Sequence, residues 1–178
     1  KADHQTTGES WDKSLAALLQ DLGTATAKAI GTAIAKRLDG SYDVAEIADW
    51  IKDNAITSAK AINATTIAAL KNALDGAADP SAAVDGVFDG TVSARTDSIS
   101  ASRVAMIGGL ASLNSAGQNG AATKTWVTGP KPRASHAAMD GETVGIDEAF
   151  SNGMNAPGDP AGGADEVAGC DCSLEFSF

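Results

Sequence analysis

Prolines partition this chain. Only Pro80 interrupts the first 122 residues, whereas Pro130, Pro132, Pro157 and Pro160, with several glycines among them, crowd the remainder. A proline inside a helix deletes a backbone hydrogen bond and collides with the preceding turn, so long helices are confined to the first part. Composition agrees: 43% of residues are hydrophobic, but many are alanine and only 4% are aromatic, which suits close-packed helices better than a large sheet sandwich. With 178 residues there is room for one ordinary domain, or for a compact domain with a helical extension. The expected fold class is α+β: a predominantly helical N-terminal part and, beyond a boundary near residue 122, a small α+β module of short strands and turns.

Helical periodicity fills the first part. Trp11, Leu15, Leu18, Leu19 and Leu22 recur on one face behind Ser10, a good N-cap residue. Ala29, Ile30, Ala33, Ile34 and Leu38 continue the stripe to Asp39-Gly40, with Gly23 and Gly31 as weak points. Val44, Ile47, Ala48 and Ile51, then Ala59, Ile62, Thr66, Leu70 and Leu74, predict two helices or one bent helix. Asp79-Pro80 joins a cap to a first-turn proline and opens a short helix through Val84, Val87 and Phe88. After Asp89-Gly90 a longer helix carries Val92, Ile99, Arg103, Met106, Ile107, Leu110 and Leu113 and dissolves between Gly117 and Gly120. Lys124 to Thr128 and Ser173 to Phe178 read as strands and Gly141 to Ile146 as a turn plus strand, with Leu174, Phe176 and Phe178 of the last strand alternating with polar residues. Trp126 is expected to anchor the sheet on helix residues such as Ile107 or Leu110. Gly141 is expected to supply a positive-φ turn after Asp140, and Asn152 to Gly169 reads as either an irregular ordered loop or a flexible one.

The formal charge is -10 and the pI about 4.4, so the surface repels phosphate backbones and strong non-specific DNA binding is not expected. A hydrated carboxylate surface also keeps proteins soluble in a salty cytoplasm, so a halophilic host is one of the sources compatible with this charge. No apolar run approaches the roughly 18 to 20 residues that span a bilayer, and no basic-then-apolar leader opens the chain, so no membrane partner is expected. The chain begins at Lys1, not Met, and reads as a processed or partial product.

Candidate chemistry concentrates near the C-terminus. His136, Cys170 and Cys172 are ligands that zinc favours, and Asp140 or Asp171 would complete a tetrahedron tying the Ser135 to Gly141 turn to the last strand. Cys-x-Cys is tighter than common zinc-finger spacing, and small buried cysteines also serve as plain core, so the residues allow either no cofactor or a structural zinc. Two residues apart in a strand, the cysteines share a face with Cα atoms about 6 to 7 Å apart, poorly oriented for a disulfide, and are expected to be reduced. A hydrolytic triad of Ser135 or Cys172 with His136 is disfavoured, because adjacent residues 135 and 136 point apart on a strand and no nucleophile-elbow frame surrounds them. A zinc deaminase would need His-x-Glu and Cys-x-x-Cys, and Ala138 stands where the glutamate would be. Asp147, Glu148, Asp165 and Glu166 read as solvated acids, and Arg95 and Arg103 as salt-bridge partners for Asp140 or Asp147.

Lys124-Thr125-Trp126-Val127-Thr128, then Pro132-Arg133-Ala134-Ser135-His136, Met139-Asp140-Gly141, Phe150, Pro157-Gly158-Asp159 and Cys170-Asp171-Cys172 together resemble the C-terminal signature of the phage Mu F-like head morphogenesis family of tailed viruses. Upstream, Arg95-Thr96-Asp97 and the helix carrying Arg103 and Asn114 resemble the family's Arg-Thr-Glu helix. The resemblance spans roughly residues 56 to 178, with Trp126, Arg133, His136, Asp140, Gly141, Phe150, Cys170 and Cys172 as signature positions. The chain departs from the family in having only Arg133 where an acid and two bases are usual, and Cys-Asp-Cys for Cys-Arg-Cys. Loss of the central arginine removes a group that would touch DNA or a carboxylate.

What the resemblance implies is a virion protein without catalytic activity: a minor capsid or head morphogenesis component at the portal or the inner capsid wall, present in several copies, with portal protein, major capsid protein or further copies of itself as partners. Its location would be the head interior or portal vertex, and the host cytoplasm during assembly. Residues 56–178 would form the family domain, helical over 56–122 and rich in strands and turns over 123–178. Residues 1–55 would form a helical interaction arm whose Trp11, Leu15, Leu18 and Leu22 need a partner surface. The alternatives are an enzyme or toxin-delivery module linked to ADP-ribosyltransferase activity, and a zinc-binding regulator.

Overall fold

The computed structural model describes residues 3–89 and 92–178, without the side chains of residues 3–7, 92–94 and 164. Gly90, expected between the short helix and the longer one, and the side chain of Val92, expected on the longer helix's apolar face, lie outside the described residues. Among those residues six helices and three strands run in the order α1 (Asp3–Arg37), α2 (Ala48–Leu74), α3 (Pro80–Asp89), α4 (Val92–Gln118), β1 (Thr123–Val127), α5 (Ala134–Ala137), β2 (Thr143–Gly145), α6 (Ala164–Val167) and β3 (Ser173–Ser177). The helical first part and the small C-terminal α+β module are therefore as expected. Among the described residues no helix is long and apolar enough to cross a membrane.

α1 starts earlier than Ser10 suggests, at Asp3, because nothing in this stretch forbids another helical turn and the serine's competing backbone bonds are weak in a helix interior. It ends as expected: Asp39 takes a left-handed φ of 52° and the Gly40 amide donates to the Ala35 carbonyl at 2.9 Å. Asp43 then caps a 3-10 turn, Val44–Ile47, by accepting from the Ala45 amide. The stretch after it forms one continuous helix, α2, and the Asp79 carboxylate caps α3 through the amides of Ser81 and Ala82.

The described residues fall into two compact units. The first comprises the chain up to Leu22 with Asp49–Asp97. Within it Ile51, Ala55 and Ala59 form the buried seam of α2, and Asn63 Nδ2 donates to Asp12 at 2.7 Å. Arg95, expected to seek Asp140 or Asp147, instead donates to Thr66 Oγ1 and the Ile62 carbonyl, both at 2.9 Å, one helical turn apart on α2.

The second unit comprises Gly23–Ala48 with Ser98–Phe178. Gly31 does not weaken α1. A Cβ there would stand 2.2 Å from the Tyr42 ring, and its carbonyl accepts from the buried Ser115 hydroxyl at 2.8 Å, so the missing side chain is what lets these segments meet. At the end of α4, Gln118 and Asn119 bond the backbone of Ser41 and Asp43. The sheet is antiparallel in the order β2-β1-β3, pairing Trp126 with Leu174 and Lys124 with both Val144 and Phe176. Trp126 does not use Ile107 or Leu110 as its core. It clusters with Met139, Phe150 and Met154, flanked by Val144, Cys172 and Leu174. The stretch 152–169, expected to be irregular, supplies Met154 to this core and touches α4 at residues 156–158, where a Cβ on Gly109 would meet the Pro157 carbonyl at 2.3 Å and one on Gly158 the Met106 backbone at 2.7 Å.

Candidate metal centre

α5 has four residues and carries one buried titratable side chain. Arg133 precedes it in an extended conformation, and its guanidinium donates to the Ala168 carbonyl at 2.5 Å, joining the start of α5 to the segment that enters β3. His136 is thereby held inside, 1% exposed, its ring edge-on to Trp126 with centroids 5.1 Å apart. Phe150 meets the same indole edge-on, also at 5.1 Å. His136 Nδ1 lies 3.6 Å from Cys170 Sγ and 3.4 Å from Cys172 Sγ. The three potential ligand atoms all fall within 4.8 Å of one another, so 34 residues of sequence separation are closed into one group able to hold a metal ion. Both cysteines are free thiols, as expected.

The other imidazole nitrogen faces an acid. Glu166 Oε2 stands 2.9 Å from His136 Nε2, a close polar contact off the ideal hydrogen-bond line, and accepts from the Ser135 hydroxyl at 2.8 Å. Burial lowers the His136 pKa, with Arg133 lowering it further and Glu166 opposing both. A neutral ring with its proton on the Glu166 side leaves the Nδ1 lone pair toward the sulfurs, the arrangement that a carboxylate behind the ring imposes on metal-binding histidines. Burial pushes the Cys170 thiol up to about 11, so a metal would have to displace its proton.

The other signature residues build the frame. Asp140 stands outside the metal group: its Oδ1 accepts from the amide and hydroxyl of Thr128, both at 2.9 Å. Those two bonds hold its pKa below the ordinary aspartate value. Gly141 takes φ 79° and donates to the Trp126 carbonyl, closing the expected turn. The Asp171 carboxylate is also outside the group and lies against Gly129, where a Cβ would come within 2.2 Å of it. Of the proposed arm, Trp11, Leu18 and Leu22 are 47%, 55% and 56% exposed, while Leu15 is half-buried.

Two residues at the site carry little signal in the sequence. Glu166 reads there as a solvated acid, and only its place one turn before Cys170 in a Gly-rich segment hints otherwise. Lys124 is fully buried, its ammonium without a hydrogen-bond partner and 5.3 Å from the Phe150 ring centroid. Its inward alternation with Trp126 is the signal that could have found it. Comparison of the chain with protein-family models, with curated proteins and with solved structures finds no match in any of the three.

Proposed function

We propose that this chain is a virion assembly protein, a minor capsid or head morphogenesis component that docks at the portal or the inner capsid wall. One observation carries the reading: the residues that resemble the Mu F-like signature, scattered from Trp126 to Cys172, converge on a single core in which Trp126 touches His136 and Phe150 and His136 faces both cysteines. Such convergence suits a rigid docking body. Affinity capture of the chain from infected cells tests it: portal or major capsid protein should be the main stoichiometric companion. Capture of cellular regulatory proteins in their place would overturn the reading in favour of a zinc-binding regulator.

The ion that fits the donor set is zinc, held by His136, Cys170 and Cys172. Its chemistry here would be structural, cross-linking α5 to the start of β3. Three protein ligands leave the fourth tetrahedral position to water or to a neighbouring protein. Elemental analysis of protein prepared without chelator should find about one zinc per chain, and a zinc-free, fully folded preparation would remove the metal from the account.

A further inference from the structure

We infer that copies of this chain associate head to tail, with α3 of one copy seated in a groove between α1 and α2 of the next. The groove occupies about 540 Å³ in the first unit and has an apolar floor of Ala16, Ala17 and Ile56. Lys13, Lys52 and Lys60 line it, in a chain whose net charge is -10. Glu9 and Asp12 line it too, so three lysines against two acids leave the lining one positive charge in excess. The groove is therefore a cationic, apolar-floored patch on an acidic molecule, and it calls for an acidic segment with a protruding apolar side chain.

α3 has that chemistry. Between Lys71 and Arg95 the chain carries four aspartates and no base. No residue of α3 is fully buried, and Phe88 is 42% exposed. Asp85, three positions before Phe88, shares its helix face, and Asp89, the next residue, lies about 100° further around the helix. A phenyl ring on the Ile56 floor with aspartates at the lysine rim joins burial of apolar area to charge pairing, which separately are weak at a surface. Groove and α3 are different surfaces, so the contact is heterologous and repeats from copy to copy until a ring closes.

The test is sedimentation velocity of the full chain and its variants over a range of concentration and salt. Wild type should form species larger than a monomer that dissociate as salt is raised. Phe88→Ala should weaken association at least about tenfold, as should K52E/K60E and D85K/D89K when each is alone. Mixing K52E/K60E protein with D85K/D89K protein restores the opposite charges and should restore association. A wild type that stays monomeric at all concentrations overturns the proposal, and so does a charge-swapped pair that fails to associate although circular dichroism shows both variants folded.

Discussion

Glu166 faces one nitrogen of His136 while the other faces two thiols: Oε2 stands 2.9 Å from Nε2, and Nδ1 lies 3.4 Å from Cys172 Sγ. A carboxylate in this position fixes the tautomer and the ring orientation that a metal needs. Glu166→Gln should therefore keep the fold and still bind zinc, but with affinity lowered about 10- to 100-fold. Competition titration against a chromogenic zinc chelator measures the difference. Unchanged affinity would mean that Glu166 merely caps Ser135.

Gly31 and Tyr42 share one space. Gly31→Ala gains helix propensity of up to about 1 kcal/mol, but the new methyl would stand 2.2 Å from the Tyr42 ring, and overpacking of this kind costs about 1 to 3 kcal/mol. Net destabilisation is expected in urea melts, and it should be relieved in the Gly31→Ala, Tyr42→Ala double variant relative to Tyr42→Ala alone.

The Tyr42 hydroxyl is buried without a hydrogen-bond partner. Burial, with Glu46 and Asp43 nearby, raises its pKa to about 12 from an ordinary 10.0. A folded pKa above the unfolded one gives a contribution that is present below pH 10.0 and lost as pH rises toward about 12. Tyr42→Phe should match or exceed wild-type stability at neutral pH and keep more of it at alkaline pH, measured as the urea midpoint across this range.

Asp140 works in the opposite sense. Its two bonds from Thr128 lower the folded pKa, so its contribution is present above the unfolded value and lost as pH falls through the folded one. Asp140→Asn should be less stable than wild type at neutral pH in urea melts, with the gap closing in acid below the ordinary aspartate range.

Much of the architecture is legible in the sequence because local chemistry and tertiary packing agree. The four late prolines, the Asp39-Gly40 stop, the Asp79-Pro80 start and the alternation at Leu174 and Phe176 each act within a few residues. His136 and the two cysteines are legible as ligands because few residue types bind soft metals, although their meeting depends on pairing β3 with β1. The illegible features depend on non-local approach. Met154 and Glu166 sit in a stretch without periodicity, and their burial and pairing come from residues distant in sequence, Met154 against Trp126 and Glu166 against Ser135 and His136. The partners of Trp126 differ from those expected because its aromaticity announces a core without saying which side supplies it.

Lys124 offers a test of the core beneath the site. Its ammonium is buried, has no hydrogen-bond partner and is disfavoured by desolvation, with Asp147, Asp159 and Glu148 opposing only through longer-range attraction. Lys124→Met preserves the length of the chain over Phe150 and removes the charge. It should raise stability by about 1 to 3 kcal/mol, and a loss of that size would mean that the three acids outweigh desolvation.

The most direct test of a role in virion assembly is quantitative mass spectrometry of purified, nuclease-treated virus particles, counting peptides from before and after residue 122 separately against the major capsid protein. Both halves are expected at one fixed, low ratio. Absence of both from particles, with the chain abundant in infected cells, would contradict a place in the virion.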